Sequence, residues 1–204
     1  MSKKVVGFLA RADPVLGRFI KKYEPVTLAP NNRITLFEAL VKSVVGQQLS
    51  GKAAHSIFSK LKDQVGGKKP ISPEKILGAP FRKIRGAGVS ESKARTIVTL
   101  AKMTELGSIP SARKMKGMSD EEIIGVLTSV KGIGRWTVEM ILMFKLGRID
   151  VMPATDLGVR KGYSIIFGCK ELAAPKAILD HSYKWSPYRS YVAKYFWAAA
   201  DDKH

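Results

Sequence analysis

Cysteine is almost missing from this chain: Cys169 is the single one in 204 residues. That excludes an intramolecular disulfide and any four-cysteine zinc or iron–sulfur site, and it suits a reducing compartment. Acidic side chains are scarce too, 17 Asp and Glu against 35 Lys and Arg, which leaves a formal net charge of +18. Solubility alone does not require so large an excess, so a polyanionic partner is expected. No apolar run approaches the roughly 20 residues of a membrane-spanning helix. The two lysines and short apolar stretch within residues 1–10 are not followed by a signal-peptide cleavage pattern. Histidine is rare as well: His55, His181 and His204 have no metal-ligand spacing. Strand-like alternation is nowhere a serious competitor, and no internal repeat or low-complexity linker is present.

What the chain does have is an apolar share of 45%, enough for a folded body rather than a basic tail. Leu36, Phe37, Leu40, Val41, Val44 and Val45 recur on a 3.6-residue period and predict a helix over 35–47, with Thr35 and Glu38 as a capping box. Ala53, Ala54, Ile57, Phe58 and Leu61 predict a second, ending at Gly66 and Gly67 before Pro70. Further helices are expected after Ser90 and Ser119, each a capping residue, and over the largely apolar stretch Trp136–Leu146, which reads as a central strut. A short extended piece at 149–152 precedes Pro153, and helical spacing returns over 188–200. The fold class is therefore all-α.

Between two of these helices lies Val130-Lys131-Gly132-Ile133-Gly134. Two glycines bracketing one apolar residue permit a tight turn that presents bare N–H groups at the next helix start, where the helix dipole favours an anion such as a DNA phosphate. Lys131 and Arg135 flank it and add sequence-independent attraction. The same pattern also serves as a plain interhelical turn. A basic run from Arg82 to Lys116, with nine positive residues against Glu91 and Glu105, fits a nucleic-acid face and equally a solvated one. Downstream, Asp156 stands in Met152-Pro153-Ala154-Thr155-Asp156-Leu157-Gly158, where an acid opens a helix. Asp is a favoured helix cap, so that segment taken alone supports a structural role as well as a chemical one.

Taken in order, the Gly-Ile-Gly hairpin, an aromatic two residues later and Pro-x-x-Asp-Leu-Gly resemble the helix-hairpin-helix base-excision glycosylases, and most of all the AlkA-type 3-methyladenine DNA glycosylases. The resemblance spans about residues 35–200 and includes Val41–Ala54 and the closing stretch Trp185–Trp197. It implies two helical lobes with a DNA cleft between them, about 31–148 and 1–30 plus 149–204. Asp156 takes the catalytic carboxylate position, and Trp136 and Trp197 are aromatic walls of the base pocket. Lys131, Gly132, Ile133, Gly134, Arg135 and Thr137 meet DNA through the hairpin, and Gln48, Leu49 and Ser50 form the loop that fills the gap left by a flipped base. Some relatives place an apolar side chain at the Gln48 position; a glutamine there can instead bond the orphaned base, or simply stand exposed at a corner. Bifunctional relatives carry a lysine where this chain has Trp136, so hydrolysis without lyase activity is expected. The resemblance also implies no required cofactor and no catalytic metal, but a structural Na+ or K+ at hairpin carbonyls near Gly132.

The implied activity is release of alkylated bases, 3-methyladenine and also 7-methylguanine, from double-stranded DNA in base excision repair. A monomer is expected, away from membranes, in the cytoplasm with the nucleoid or in the nucleus. Electron-rich tryptophan faces favour a cationic base over a neutral one. Larger relatives carry an amino-terminal β-rich domain, and with about 30 residues before the helical core this chain reads as a minimal version. Two alternatives stay open: a non-catalytic helix-hairpin-helix DNA-binding protein, and a glycosylase for deaminated or mismatched bases.

Overall fold

The computed structural model describes residues 3–23, 26–67 and 69–202; His204 and the first two residues lie outside them. Every regular element among these residues is helical, and none of the helices is long and apolar enough to cross a membrane. The chain divides into two compact units, Asn31–Leu146, which is continuous, and Met1–Pro30 with Gly147–His204, which is not.

The continuous unit holds α3 (Leu36–Gly46), α4 (Gly51–Val65), α5 (Pro73–Gly78), α6 (Phe81–Gly86), α7 (Glu91–Glu105), α8 (Ala112–Met115), α9 (Asp120–Thr128) and α10 (Arg135–Phe144). Local capping chemistry sets most of its helix starts: Ser50, Ser90, Ser111 and Ser119 each accept the N–H three residues on, and Ser119 and Glu122 complete a reciprocal box. At α3 only half of the expected box forms. Thr35 accepts the Glu38 N–H at 3.0 Å, but the Glu38 side chain turns inward, fully buried, with Lys62 Nζ of α4 3.4 Å away. That charge pairing, unavailable to a carboxylate folded back on its own helix start, takes the place of the cap. Around it, Leu40, Val41, Val44, Leu61, Ile97, Leu100, Val138 and Met143 are all buried without exposure.

The discontinuous unit contains α1 (Lys3–Ala12), α2 (Pro14–Ile20), α11 (Leu157–Phe167), α12 (Pro175–Ser182), a 3-10 turn at Tyr183–Trp185 and α13 (Arg189–Asp201). Its core is aromatic, with Trp185, Tyr195 and Phe196 fully buried. α11 and α13 cross at Gly162, where even a methyl group would meet the Phe196 backbone. Asp13 closes the α1–α2 end. One carboxylate oxygen accepts the Val15 and Leu16 N–H groups at 3.1 and 3.2 Å, capping α2. The other accepts Trp185 Nε1 at 3.2 Å and lies 3.0 Å from Lys184 Nζ and 3.3 Å from His181 Nε2.

Burial alone pushes the Asp13 carboxyl up, but Lys184, the Leu16 N–H and Trp185 together hold it below the ordinary value. A carboxylate depressed in the folded state contributes stability that is complete above its unfolded pKa and is lost as pH falls through the folded one. The melting temperature of the wild type is therefore expected to fall steeply below about pH 4. Asp13→Asn, less stable at neutral pH, should show a shallower fall when melting is followed by circular dichroism across pH 3–6. Parallel curves would remove Asp13 from the acid response.

Candidate active site and hairpin

In the continuous unit the hairpin joins α9 to α10. Gly132 has φ +95°, and a Cβ there would lie 2.1 Å from Thr96 Oγ of α7, so only glycine lets the turn settle on that helix. The Thr96 hydroxyl sits 3.0 Å from the Lys131 carbonyl, and the Ile133 N–H closes the turn on the Val130 carbonyl at 2.9 Å. Val130 and Ile133 point into the core. Gly134 then occupies the cap position of α10 with no side chain to bond its first-turn N–H groups, the arrangement that suits a phosphate oxygen.

The expected hairpin residues divide by what their side chains do. Lys131 is exposed. Ile133 is buried, leaving its backbone as the part that faces outward chemistry. The Arg135 guanidinium is not a free positive arm: it pairs with Glu121 at 2.6 Å and Glu139 at 3.3 Å, and the Glu121 bond raises its pKa further. Thr137 departs from expectation as well. Its side chain is buried and its hydroxyl accepts Gln47 Nε2 at 2.9 Å, because the first turn of α10 rotates it toward the α3 end.

The α3–α4 loop carries Gln48 at φ +56°, the one non-glycine residue among those described with a positive φ, a conformation that persists where surroundings over-determine it and that clusters at functional sites. Gln48 is exposed and Leu49 is 40% exposed, while the Ser50 hydroxyl is engaged in capping α4. Trp136 and Met140, one turn apart on α10, line a pocket of about 470 Å³ with Ser43 and Gly46 of α3 and Ala54 of α4. Its walls are mainly apolar and large enough for a flat heterocycle.

In the discontinuous unit the extended piece through Val151 is pinned by its N–H to Ser190 Oγ at 2.9 Å. The chain then turns, and Asp156 opens α11 at φ −65°. Its Oδ1 accepts two N–H groups, that of Val159 at 2.9 Å and the indole of Trp197 at 2.7 Å. Together the two bonds hold the carboxyl plane. Trp197, expected as a wall of the base pocket, is seen here as the group that fixes the acid. Gly158 makes room for it, since a Cβ there would meet Trp197 Cδ1 at 2.7 Å. The start of α13, which carries Trp197, is clasped by Arg189 on both Asp150 oxygens at 2.7 and 3.0 Å. A half-buried carboxylate fixed in this way can stabilise positive charge developing on a sugar and orient a water.

Residues 41–187 match the description of the HhH-GPD superfamily base excision DNA repair proteins. This chain belongs to that superfamily. Among HhH-GPD relatives, the DNA-3-methyladenine glycosylase 1 of Schizosaccharomyces pombe is 39% identical over 161 residues, covering 79% of this chain and 71% of that one. A solved structure of the Schizosaccharomyces pombe 3-methyladenine DNA glycosylase in complex with abasic DNA superposes with a TM-score of 0.88 at 35% identity, covering 96% of this chain and 95% of that one. The DNA-3-methyladenine glycosidase of Bacillus halodurans gives a TM-score of 0.83 at 34% identity, over 97% and 89% of the two chains. Both the family expected from the hairpin and Asp156 motifs and the all-helical fold expected from the apolar periodicity are those found.

Three of the contacts described in the two units escape sequence reasoning. Gln47 is one of two adjacent glutamines, and nothing in the order Gln-Gln says which is turned to the hairpin. Thr96 is a helix residue with no motif around it. The Trp197 bond to Asp156 joins residues 41 positions apart, beyond any local pattern.

Proposed function

We propose that this HhH-GPD protein is a monofunctional DNA glycosylase that flips an alkylated base, 3-methyladenine or 7-methylguanine, from double-stranded DNA and hydrolyses its N-glycosidic bond. The observation that carries this reading is the Asp156 carboxylate, oriented through Oδ1 by the Val159 and Trp197 N–H groups. Loss of the base leaves an oxocarbenium-like deoxyribose, and a fixed anion beside it lowers that barrier without reorganising. A cationic alkylated purine is already a good leaving group, so the protein's work is positioning, charge stabilisation and delivery of water. The names of the relatives, 3-methyladenine glycosylases, point to the same substrate class.

Trp136 stands where lyase-active relatives place a lysine, and an indole forms no Schiff base, which supports hydrolysis alone. DNA is held in this reading by the hairpin N–H groups and Lys131, with Gln48 entering the vacated space. A monovalent Na+ or K+ fits the hairpin: its donors are neutral backbone carbonyls, with no carboxylate in the loop to call for a divalent ion. The Lys131 and Gly132 carbonyls already accept from Thr96 and Gln47 and keep a second lone pair each. Bound there, the ion would stiffen the turn and add positive charge facing the phosphate. The working unit in this proposal is a monomer.

Purified protein incubated with methylated duplex DNA is expected to release free 3-methyladenine or 7-methylguanine. Borohydride added during turnover should trap no covalent protein–DNA adduct. Release of no base with retained DNA binding would favour a non-catalytic DNA-binding role, and a trapped adduct would overturn the hydrolytic assignment.

A further inference from the structure

We propose that Gln47 is a positioning residue for base extrusion, a strap that fixes the loop presenting Gln48 to the phosphate-binding hairpin. The inference rests on the base-flipping reading above. Gln47 Nε2 donates to the Gly132 carbonyl at 3.0 Å and to Thr137 Oγ at 2.9 Å, so one amide grips the hairpin turn and the first turn of α10 together. The main chain of the same residue is held from another side. Lys93 Nζ, on α7, donates to the Gln47 carbonyl at 2.6 Å and to the Val45 carbonyl at 3.0 Å, closing the last turn of α3. With residue 47 fixed through both side chain and backbone, the chain reaches Gln48 at φ +56° and turns back through the Leu49 N–H to the Gly46 carbonyl at 3.2 Å.

The mechanical consequence follows from what each end touches. A phosphate seated on the α10 N–H groups fixes the hairpin on the duplex, and the strap then fixes the stand-off of Gln48 from that phosphate. An insertion side chain works against base stacking only if its loop does not yield. Gly132 and Thr137 receive no other strap from the α3–α4 loop among the bonds described. Without the Gln47 amide, residue 48 is free to relax to ordinary backbone geometry and withdraw. Lys93 and Thr96, one turn apart on α7, relate the loop to the hairpin only indirectly through that helix, whereas the Gln47 amide joins the two directly.

The test uses Gln47→Met, which keeps length and packing but donates nothing, and Gln47→Ala. Single-turnover release of 7-methylguanine is measured on two duplexes, one with the lesion in a normal pair and one with it in a single-base bulge, where stacking resists extrusion less. We expect a fall of about 10-fold or more on the paired substrate and less than about 3-fold on the bulged one. Gln48→Ala combined with Gln47→Met should lose little beyond either alone on the paired substrate, since both act through one wedge. Equal loss on both substrates, as a folding defect would give, overturns the proposal, and so does an unchanged rate on the paired substrate. Failure of the wild type on both duplexes would instead strike the glycosylase reading.

Discussion

Asp156→Asn is expected to lower base release by about 10² to 10⁴-fold while DNA affinity stays within a few-fold of wild type. Asparagine matches the acid in shape, and its carbonyl oxygen accepts the same Val159 and Trp197 N–H groups, so α11 keeps its cap and Trp197 its partner. Only the charge is removed. If the carboxylate's task is to face a developing cation in a site with little water, that loss corresponds to about 3–5 kcal/mol of transition-state stabilisation. The ground state, with uncleaved DNA, barely senses it. Single-turnover release from methylated duplex, measured beside binding to the same duplex, separates the two quantities. A variant that released base at the wild-type rate would reduce Asp156 to a helix cap and remove the catalytic reading.

Gly162→Ala carries the largest expected effect on stability, and two effects of opposite sign compete there. Alanine favours a helix over glycine by about 1 kcal/mol in an exposed interior position. At this crossing, however, its Cβ would lie 1.8 Å from the Phe196 carbonyl oxygen and 2.5 Å from its Cα. Those are backbone atoms, with no rotamer to turn away. α11 and α13 must therefore separate by more than an ångström, opening a core built on Trp185, Tyr195 and Phe196. Overpacking of this kind is expected to cost about 3 kcal/mol or more, outweighing propensity and lowering the melting temperature by about 10 °C. Because Trp197 follows Phe196, base release should also fall at temperatures where the variant is still folded. A melting temperature within about 2 °C of wild type would show that the crossing yields easily.

The longer periodic helices were legible in the sequence because each repeats its apolar face over more than two turns: α3, α4, α7, α9 and α10 also start at a capping residue or glycine that marks them, and α13 shows by its spacing alone. α5, α6 and α8 are 4–6 residues long, too short for a period to declare itself, and they are placed by packing. Residues 1–30 were expected only as part of the second helical lobe; their division into α1 and α2 follows from the Asp13 cap and Pro14, which restart the helix. The same divide runs through the candidate functional residues. Asp156 and Gly132 sit in local motifs whose chemistry can be named from residue types. The inward turn of Thr137, the ion pairs that occupy Arg135 and the strap at Gln47 are set by partners distant in sequence, which no spacing reveals.

The discontinuous unit also bears on how the chain comes off the ribosome. Asp13, buried near the start, finds its Trp185 partner 172 positions later, so α1 and α2 emerge long before the groups that bury them. The continuous unit has all its partners in hand once Leu146 is out, and can consolidate while the remainder is still being made. The carboxylate assigned to catalysis acquires its indole donor only with Trp197. A nascent or truncated chain would thus own a formed hairpin, the element proposed to hold DNA, before it owned a finished acid.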